Sequence, residues 1–266
     1  PVDPTAAVKG FVAESREMQS VADTLRQIQP SHSSVLITGE GGAGKRLVAR
    51  TVHRTGARAD GPLVTVSCAP TQTGEPLEAR LFGTVEADGT LQRGAVHAAE
   101  GGTLVLEDVD ALPRPLQSSL LQFLTTGSAP SPGPKDAKSV DLRLVATTTA
   151  DLDARVAEGR FDDALRDHLR VLSLHVPPLR ERRADIPLLT RHFLDQLRPA
   201  GSSLVSITQP AMEALLRYNW PGNVRQLRNE VERALVHVQS EPAPTIDLDI
   251  LLDTIVEGAK KTRSPQ

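Results

Sequence analysis

Seven residues, Gly39-Glu40-Gly41-Gly42-Ala43-Gly44-Lys45, stand between an apolar run, Val35-Leu36-Ile37-Thr38, and a stretch of helical character that opens near Lys45. A chain with this order has to turn a buried strand through glycines into the N-terminus of a helix. There the glycines let backbone N–H groups wrap an anion, and the helix end adds positive potential. The spacing is that of a Walker A phosphate cradle, with Lys45 placed to reach the β- and γ-phosphates of a nucleotide. Gly39, Glu40, Gly41, Gly42, Ala43, Gly44, Lys45, Arg46 and Leu47 are therefore the candidate nucleotide-binding residues. A Ser or Thr that helps hold magnesium usually follows the lysine. Here the next residue is Arg46.

The remainder of the first two hundred residues alternates strand-like runs with amphipathic helical stretches, the pattern of a parallel sheet covered on both faces. Besides Val35–Thr38, strands are expected at Leu63–Val66, Thr103–Leu106, Leu142–Ala146 and Val171–Leu174. The run Leu104-Val105-Leu106 ends in Glu107-Asp108, an apolar strand delivering two acids, which reads as a Walker B element with both carboxylates as candidate magnesium ligands. Gly127 to Lys138 is rich in Pro, Gly and Ser and is expected to be a flexible surface loop. After residue 199 the pattern is helical, with helices over Gln209–Tyr218 and Asn223–His237 around the turn Trp220-Pro221-Gly222-Asn223, and Asn223 as the N-cap of the second. The division expected is a nucleotide-binding core over 1–198, a helical lid over 199–240 and a tail or linker over 241–266, its last residues loose.

A net charge of −3 gives no global basic footprint for nucleic acid. A single cysteine, Cys68, excludes an internal disulfide and any multi-cysteine metal site, and fits a reducing cytoplasm. No apolar run approaches the ~20 residues that cross a bilayer, so a soluble protein with no membrane partner is expected. The chain starts at Pro1 rather than Met, as an excised piece would.

These residues and their surroundings resemble the central AAA+ domain of bacterial enhancer-binding proteins, the sigma-54-dependent transcription activators. The resemblance is carried by Glu14-Ser15-Arg16-Glu17-Met18, by the cradle and its flanks, by Leu81-Phe82-Gly83 and by Gly101-Gly102-Thr103-Leu104. It continues through Pro177-Pro178-Leu179-Arg180-Glu181-Arg182-Arg183-Ala184-Asp185-Ile186-Pro187 and Trp220-Pro221-Gly222-Asn223-Val224-Arg225-Gln226-Leu227. It implies an α/β P-loop fold, a five-stranded parallel sheet in an αβα sandwich followed by a small helical lid. It also implies ATP or ADP with Mg2+ as ligands and self-association into a ring or lower oligomer. The implied catalytic positions are Glu107, Asp108 and Thr149, and Arg225 is the implied second nucleotide sensor.

The sequence departs from that family where the family does its work. The Gly-Ala-Phe-Thr-Gly-Ala loop that touches the sigma factor is absent after Leu81-Phe82-Gly83, and the stretch up to Gly101 is several residues short. Walker B is inverted, Glu107-Asp108 for Asp-Glu. A misplacement of ~1 Å can cost ~100-fold in rate. The two arginine-finger positions carry Asp162 and His168, and the sensor asparagine is Thr149. Arg166 and Arg170 each lie two residues from the second finger position, ~200° away around a helix.

The combined expectation is a nucleotide-dependent regulatory domain with weak or absent hydrolysis and no direct sigma-54 remodelling. RNA polymerase or another regulator is the candidate partner, and DNA contact is assigned to segments outside this chain. Two rival readings remain open, an active ring ATPase using a displaced arginine and a scaffold that has lost its nucleotide.

Overall fold

A computed structural model describes Asp3, Val8 and residues 10–70, 74–85, 91–128, 139–198, 203–238 and 244–261. Along the chain come α1 (Arg16–Ile28), β1 (Val35–Thr38), α2 (Lys45–Thr55), β2 (Leu63–Ser67), α3 (Leu77–Phe82), β3 (Gly83–Val85) and β4 (Leu91–Arg93). Then follow α4 (Ala95–Ala98), β5 (Thr103–Glu107), α5 (Arg114–Thr126), β6 (Arg143–Thr148), α6 (Leu152–Ala157), α7 (Asp163–Leu169) and β7 (Leu172–His175). The rest is α8 (Ile186–Leu197), β8 (Ser206–Ile207), α9 (Gln209–Arg217), α10 (Asn223–Val238), β9 (Thr245–Ile246) and α11 (Asp253–Lys261).

Contacts gather the chain into two compact units, one of residues 1–8, 23–39 and 45–175, the other of residues 9–22, 40–44 and 176–266. The first unit is a five-stranded sheet in the order β2-β5-β6-β1-β7, every pairing parallel. Its interior strands β5 and β6 are buried along their whole length, which is why apolar residues fill their middles, 104–106 and 144–146. The edge strand β7 alternates between buried Leu174 and exposed neighbours. Leu104, Leu106, Leu144 and Ala146 pack with Leu120 and Phe123 of α5 and Leu165 of α7 in one core. Helix α5 ends where Gly127 takes φ 71° and donates its N–H to the Phe123 carbonyl, a left-handed stop suited to glycine. Most of the expected loop from Gly127 to Lys138 lies outside the described residues.

Each expected strand is present within two residues of its expected bounds, so the α/β reading holds. Buried polar groups break the apolar pattern at Thr103, Glu107, Arg143, Thr147 and Thr148. Arg143, at the start of β6, is 2 % exposed and donates Nη2 to the Ile28 carbonyl at 3.1 Å, satisfying the C-terminal end of α1.

In the second unit α8, α9, α10 and α11 bury a shared cluster that includes Leu189, Phe193, Leu215, Trp220, Leu227, Val231 and Ile255. Trp220 is completely buried, donates Nε1–H to the Leu215 carbonyl at 2.8 Å and stands edge-on to Tyr218, ring centroids 5.1 Å apart. Helix α8 is built into this cluster, so residues 176–198 pack here, although the sequence pattern places them with the core. The tail joins this cluster through Ile246, Leu251 and Ile255, while its last residues, 262–266, lie outside the described residues. Glu230, 3 % exposed, accepts the Leu252 N–H at 2.9 Å, and Arg233 holds Glu230 while donating to the Ile250 carbonyl.

Candidate nucleotide site

The phosphate loop begins where β1 ends. Gly39 takes φ 146°, and its carbonyl accepts a hydrogen bond from Lys45 Nζ at 2.8 Å. Lys45 is the first residue of α2 and is 9 % exposed, so its ammonium is held low in the loop rather than waving in solvent. Added Cβ atoms at Gly41 and Gly44 would meet nothing within 4 Å, so the loop is open above these glycines. That openness suits an anion of phosphate size.

Within the second unit, residues 40–44 are gripped from several directions. Gly42 takes φ 76°, and a Cβ there would lie 2.4 Å from the Gly222 carbonyl oxygen, so only glycine fits. The Gly42 carbonyl accepts the Arg225 N–H at 3.3 Å. Arg182 is buried, which lowers its pKa, and it donates Nη2 to the Ala43 carbonyl. Arg180 forks onto Glu40 at 2.9 and 2.7 Å, and this hydrogen bonding raises the pKa of the guanidinium. Asn223 donates Nδ2 to Glu40 Oε2 and to the Gly41 carbonyl, while its Oδ1 accepts the Leu179 N–H.

That arrangement corrects the expected N-cap. Asn223 sits in the left-handed region at φ 53°, and its side-chain oxygen serves Leu179 instead of the first turn of α10. The turn at 220–222 delivers it in this pose, and asparagine tolerates the left-handed conformation better than most residues.

The two acids after β5 have separate fates. Glu107 is 5 % exposed, and both of its carboxylate oxygens accept from Arg46, one from Nε and the other from Nη2. The hydrogen bond to Glu107 raises the Arg46 pKa further, against a smaller opposing effect of burial. Asp108 lies at φ 53°, one of three non-glycine residues with positive φ among those described. Its neighbour Asp110 accepts the Thr148 hydroxyl at 2.6 Å, whereas Thr149, the expected sensor, is exposed just beyond β6. One of the two carboxylates assigned to magnesium in the sequence, Glu107, is thus engaged by a guanidinium. Among the described residues no group of three or more His, Cys, Asp or Glu side chains is placed to hold a metal ion.

The expected finger positions are occupied in other ways. Asp162 caps α7, its Oδ1 accepting the Leu165 N–H at 2.9 Å. His168 is exposed. Arg166 pairs with Asp167 and Asp153, and Arg170 pairs with Asp153 at 2.8 Å. The pair β3 and β4 is antiparallel with Val85 opposite Leu91, leaving residues 86–90 between the strands.

Against this geometry, residues 11–175 match the model of the sigma-54 interaction domain, and residues 180–266 match an AAA+ ATPase lid domain. The chain belongs to the sigma-54 interaction domain family. This sigma-54 interaction domain is 38 % identical over 243 residues to the nitrogen assimilation regulatory protein NtrX of Azorhizobium caulinodans, covering 91 % of this chain and 53 % of the relative. It is 40 % identical over 242 residues to the transcriptional regulatory protein ZraR of Escherichia coli K12, covering 89 % and 55 %. The chain thus spans about half the length of the curated relatives it matches. Among solved structures, NtrX from Brucella abortus in complex with ADP superposes with a TM-score of 0.84 at 37 % identity, covering 92 % of this chain and 55 % of that one. The same protein in complex with ATP gives 0.84 at 36 % identity, covering 96 % and 56 %. The fold is that of an AAA+ P-loop NTPase domain with its helical lid.

Sequence reasoning names the loop residues, Glu107 and Asp108 but misses three partners of this sigma-54 interaction domain. Arg180 and Arg182 enter the sequence reading only as part of the stretch that carries the resemblance, yet they hold Glu40 and Ala43. Arg46 is expected among the nucleotide-binding residues and as the loss of a magnesium hydroxyl, but not as the partner of Glu107. The signal was there in two departures of complementary charge, an arginine after the cradle lysine and a longer acid at the first Walker B position.

Proposed function

We propose that this domain binds ATP or ADP as a regulatory ligand, self-associates in response, and hydrolyses ATP slowly or not at all, as part of a cytoplasmic sigma-54-activator-like bacterial transcription regulator. Support for nucleotide comes from the open space at Gly41 and Gly44 and from the buried Lys45. The NtrX structures in complex with ADP and ATP add to it. A ligand at ~100 times its dissociation constant stabilises by ~2.7 kcal/mol, enough to bias an oligomeric equilibrium.

The observation that carries the reading on hydrolysis is the fate of Asp162. At the first position where the resemblance calls for an arginine, a carboxylate is committed to capping α7. The arginines nearest the second position are tied to Asp153. An arginine finger is worth ~10³–10⁵ in rate, so its loss accounts for a slow enzyme. The short connection between β3 and β4 supports a domain that does not remodel sigma-54 polymerase directly, its contacts to RNA polymerase or another regulator being made elsewhere.

Titration of the purified domain with ATP, following bound nucleotide, released phosphate and oligomer mass in the same samples, tests this. Saturable binding without turnover is expected. Turnover that rises with protein concentration would restore an active ring ATPase, and no binding of any adenine nucleotide would leave a scaffold.

A further inference from the structure

The geometry points to Arg46 as a built-in replacement for the divalent cation: the domain takes its nucleotide without magnesium, the guanidinium bridging Glu107 and the phosphates. This rests on the nucleotide-binding reading above and gives it a specific chemistry.

Three observations converge. The residue after the cradle lysine, where a hydroxyl would normally reach a metal, is an arginine at the first turn of α2. Its guanidinium lies fork-on to Glu107, occupying both oxygens of one of the two carboxylates that the sequence offers to the ion. The acids left over are Asp108 and Asp110, and no group of three or more His, Cys, Asp or Glu is placed for an ion among the described residues, whereas magnesium demands near-octahedral oxygen coordination at about 2.0–2.1 Å. The nearby hydroxyl of Thr148 is already donated to Asp110.

The charge balance follows the same line. A buried carboxylate facing a polyphosphate has to be neutralised, and an ion normally does this from between them. In this domain Glu107 carries its cation permanently, on a side chain that stays charged at any physiological pH. The Arg46 side chain is 75 % exposed while that of Glu107 is 6 % exposed, so the guanidinium covers the acid and turns its other edge outward. A planar guanidinium suits phosphate oxygens as well as carboxylate oxygens. One unit of charge replaces two, which is sufficient for binding and poor for supporting charge that builds up during phosphoryl transfer.

The test is the affinity of the whole domain for a fluorescent N-methylanthraniloyl-ADP, measured in excess EDTA and in excess magnesium chloride, with ATP as competitor. The expected result is agreement between the two conditions within about threefold. Arg46→Ser is expected to lose about tenfold in EDTA, the equivalent of one charge-assisted hydrogen bond, and to recover when magnesium is added. Arg46→Lys keeps the charge and guards against a folding defect. It should fall between the two, since it cannot fork. Manganese supplies a second readout: with ADP present, wild-type protein should leave the Mn2+ paramagnetic resonance signal free, whereas Arg46→Ser should broaden it. Wild-type binding that is at least about tenfold tighter with magnesium, or immobilised Mn2+ in the wild type, would overturn the inference while leaving nucleotide binding intact. Absence of nucleotide binding under both conditions would overturn the functional reading itself, and this inference with it.

Discussion

The side-chain amide of Asn223 donates to Glu40 Oε2 at 3.0 Å and to the Gly41 carbonyl at 3.1 Å, while its carbonyl oxygen accepts the Leu179 N–H at 2.7 Å. A completely buried side chain therefore uses both ends at once. Asn223→Ala strands the buried Leu179 N–H, at a cost of about 1–3 kcal/mol. Chemical denaturation should show a loss in that range. Asn223→Asp keeps the acceptor but sets a second carboxylate against Glu40, and should weaken nucleotide binding more than Asn223→Ala does.

Gly42 is the position in the loop least tolerant of change. Gly42→Ala meets the Gly222 carbonyl oxygen and has to hold φ 76°. The backbone strain alone amounts to about 1–3 kcal/mol. Gly41→Ala, with open space around its Cβ and no positive φ, is the matched control. Thermal melts should show Gly42→Ala well below wild type and Gly41→Ala close to it. An equal loss in both would remove the steric account.

The role given to Asp162 separates cap from charge. Asp162→Asn preserves a good N-cap acceptor and should be nearly neutral, whereas Asp162→Ala should lose about 1 kcal/mol. Urea unfolding of the two variants decides it. Phosphate release should stay low in both, since neither supplies a cation.

Cys68 is buried behind β2, and burial pushes its thiol up to about 12 from an ordinary 9.0. The unfolded chain gives up that proton near pH 9 and the folded chain does not until about pH 12. A raised folded pKa contributes stability that is complete below the unfolded value and drains away as pH climbs through this window. Stability should therefore fall between pH 9 and 12, and Cys68→Ala should flatten part of that slope. At neutral pH the native thiol should resist iodoacetamide, which mass spectrometry of the intact chain reads directly.

What could be read in the sequence follows from how local each signal is. The strands β1, β5 and β6 are legible because burial on both faces gives each at least three consecutive apolar residues, and the loop from Gly39 to Lys45 because its glycines serve a local turn. The two-residue pair β8 and β9 is not legible, since Ser206 meets Thr245 across a long stretch of chain with no repeating pattern on either side. Asn223 was misread for a related reason: N-cap preference is a local rule, and the partner that claims its oxygen is 44 residues away. Arg46 and Glu107 are 61 residues apart, so each was legible only as a separate oddity.

Helix α10 has its first residue on Glu40 and Gly41 and, within its third and fourth turns, Glu230 and Arg233 fastened to the backbone at Leu252 and Ile250. Its 16 residues form a rod about 24 Å long with no proline or glycine to bend it. One straight helix is thus tied at its start to the glycine loop and, within its third and fourth turns, to the chain that leads into the final helix.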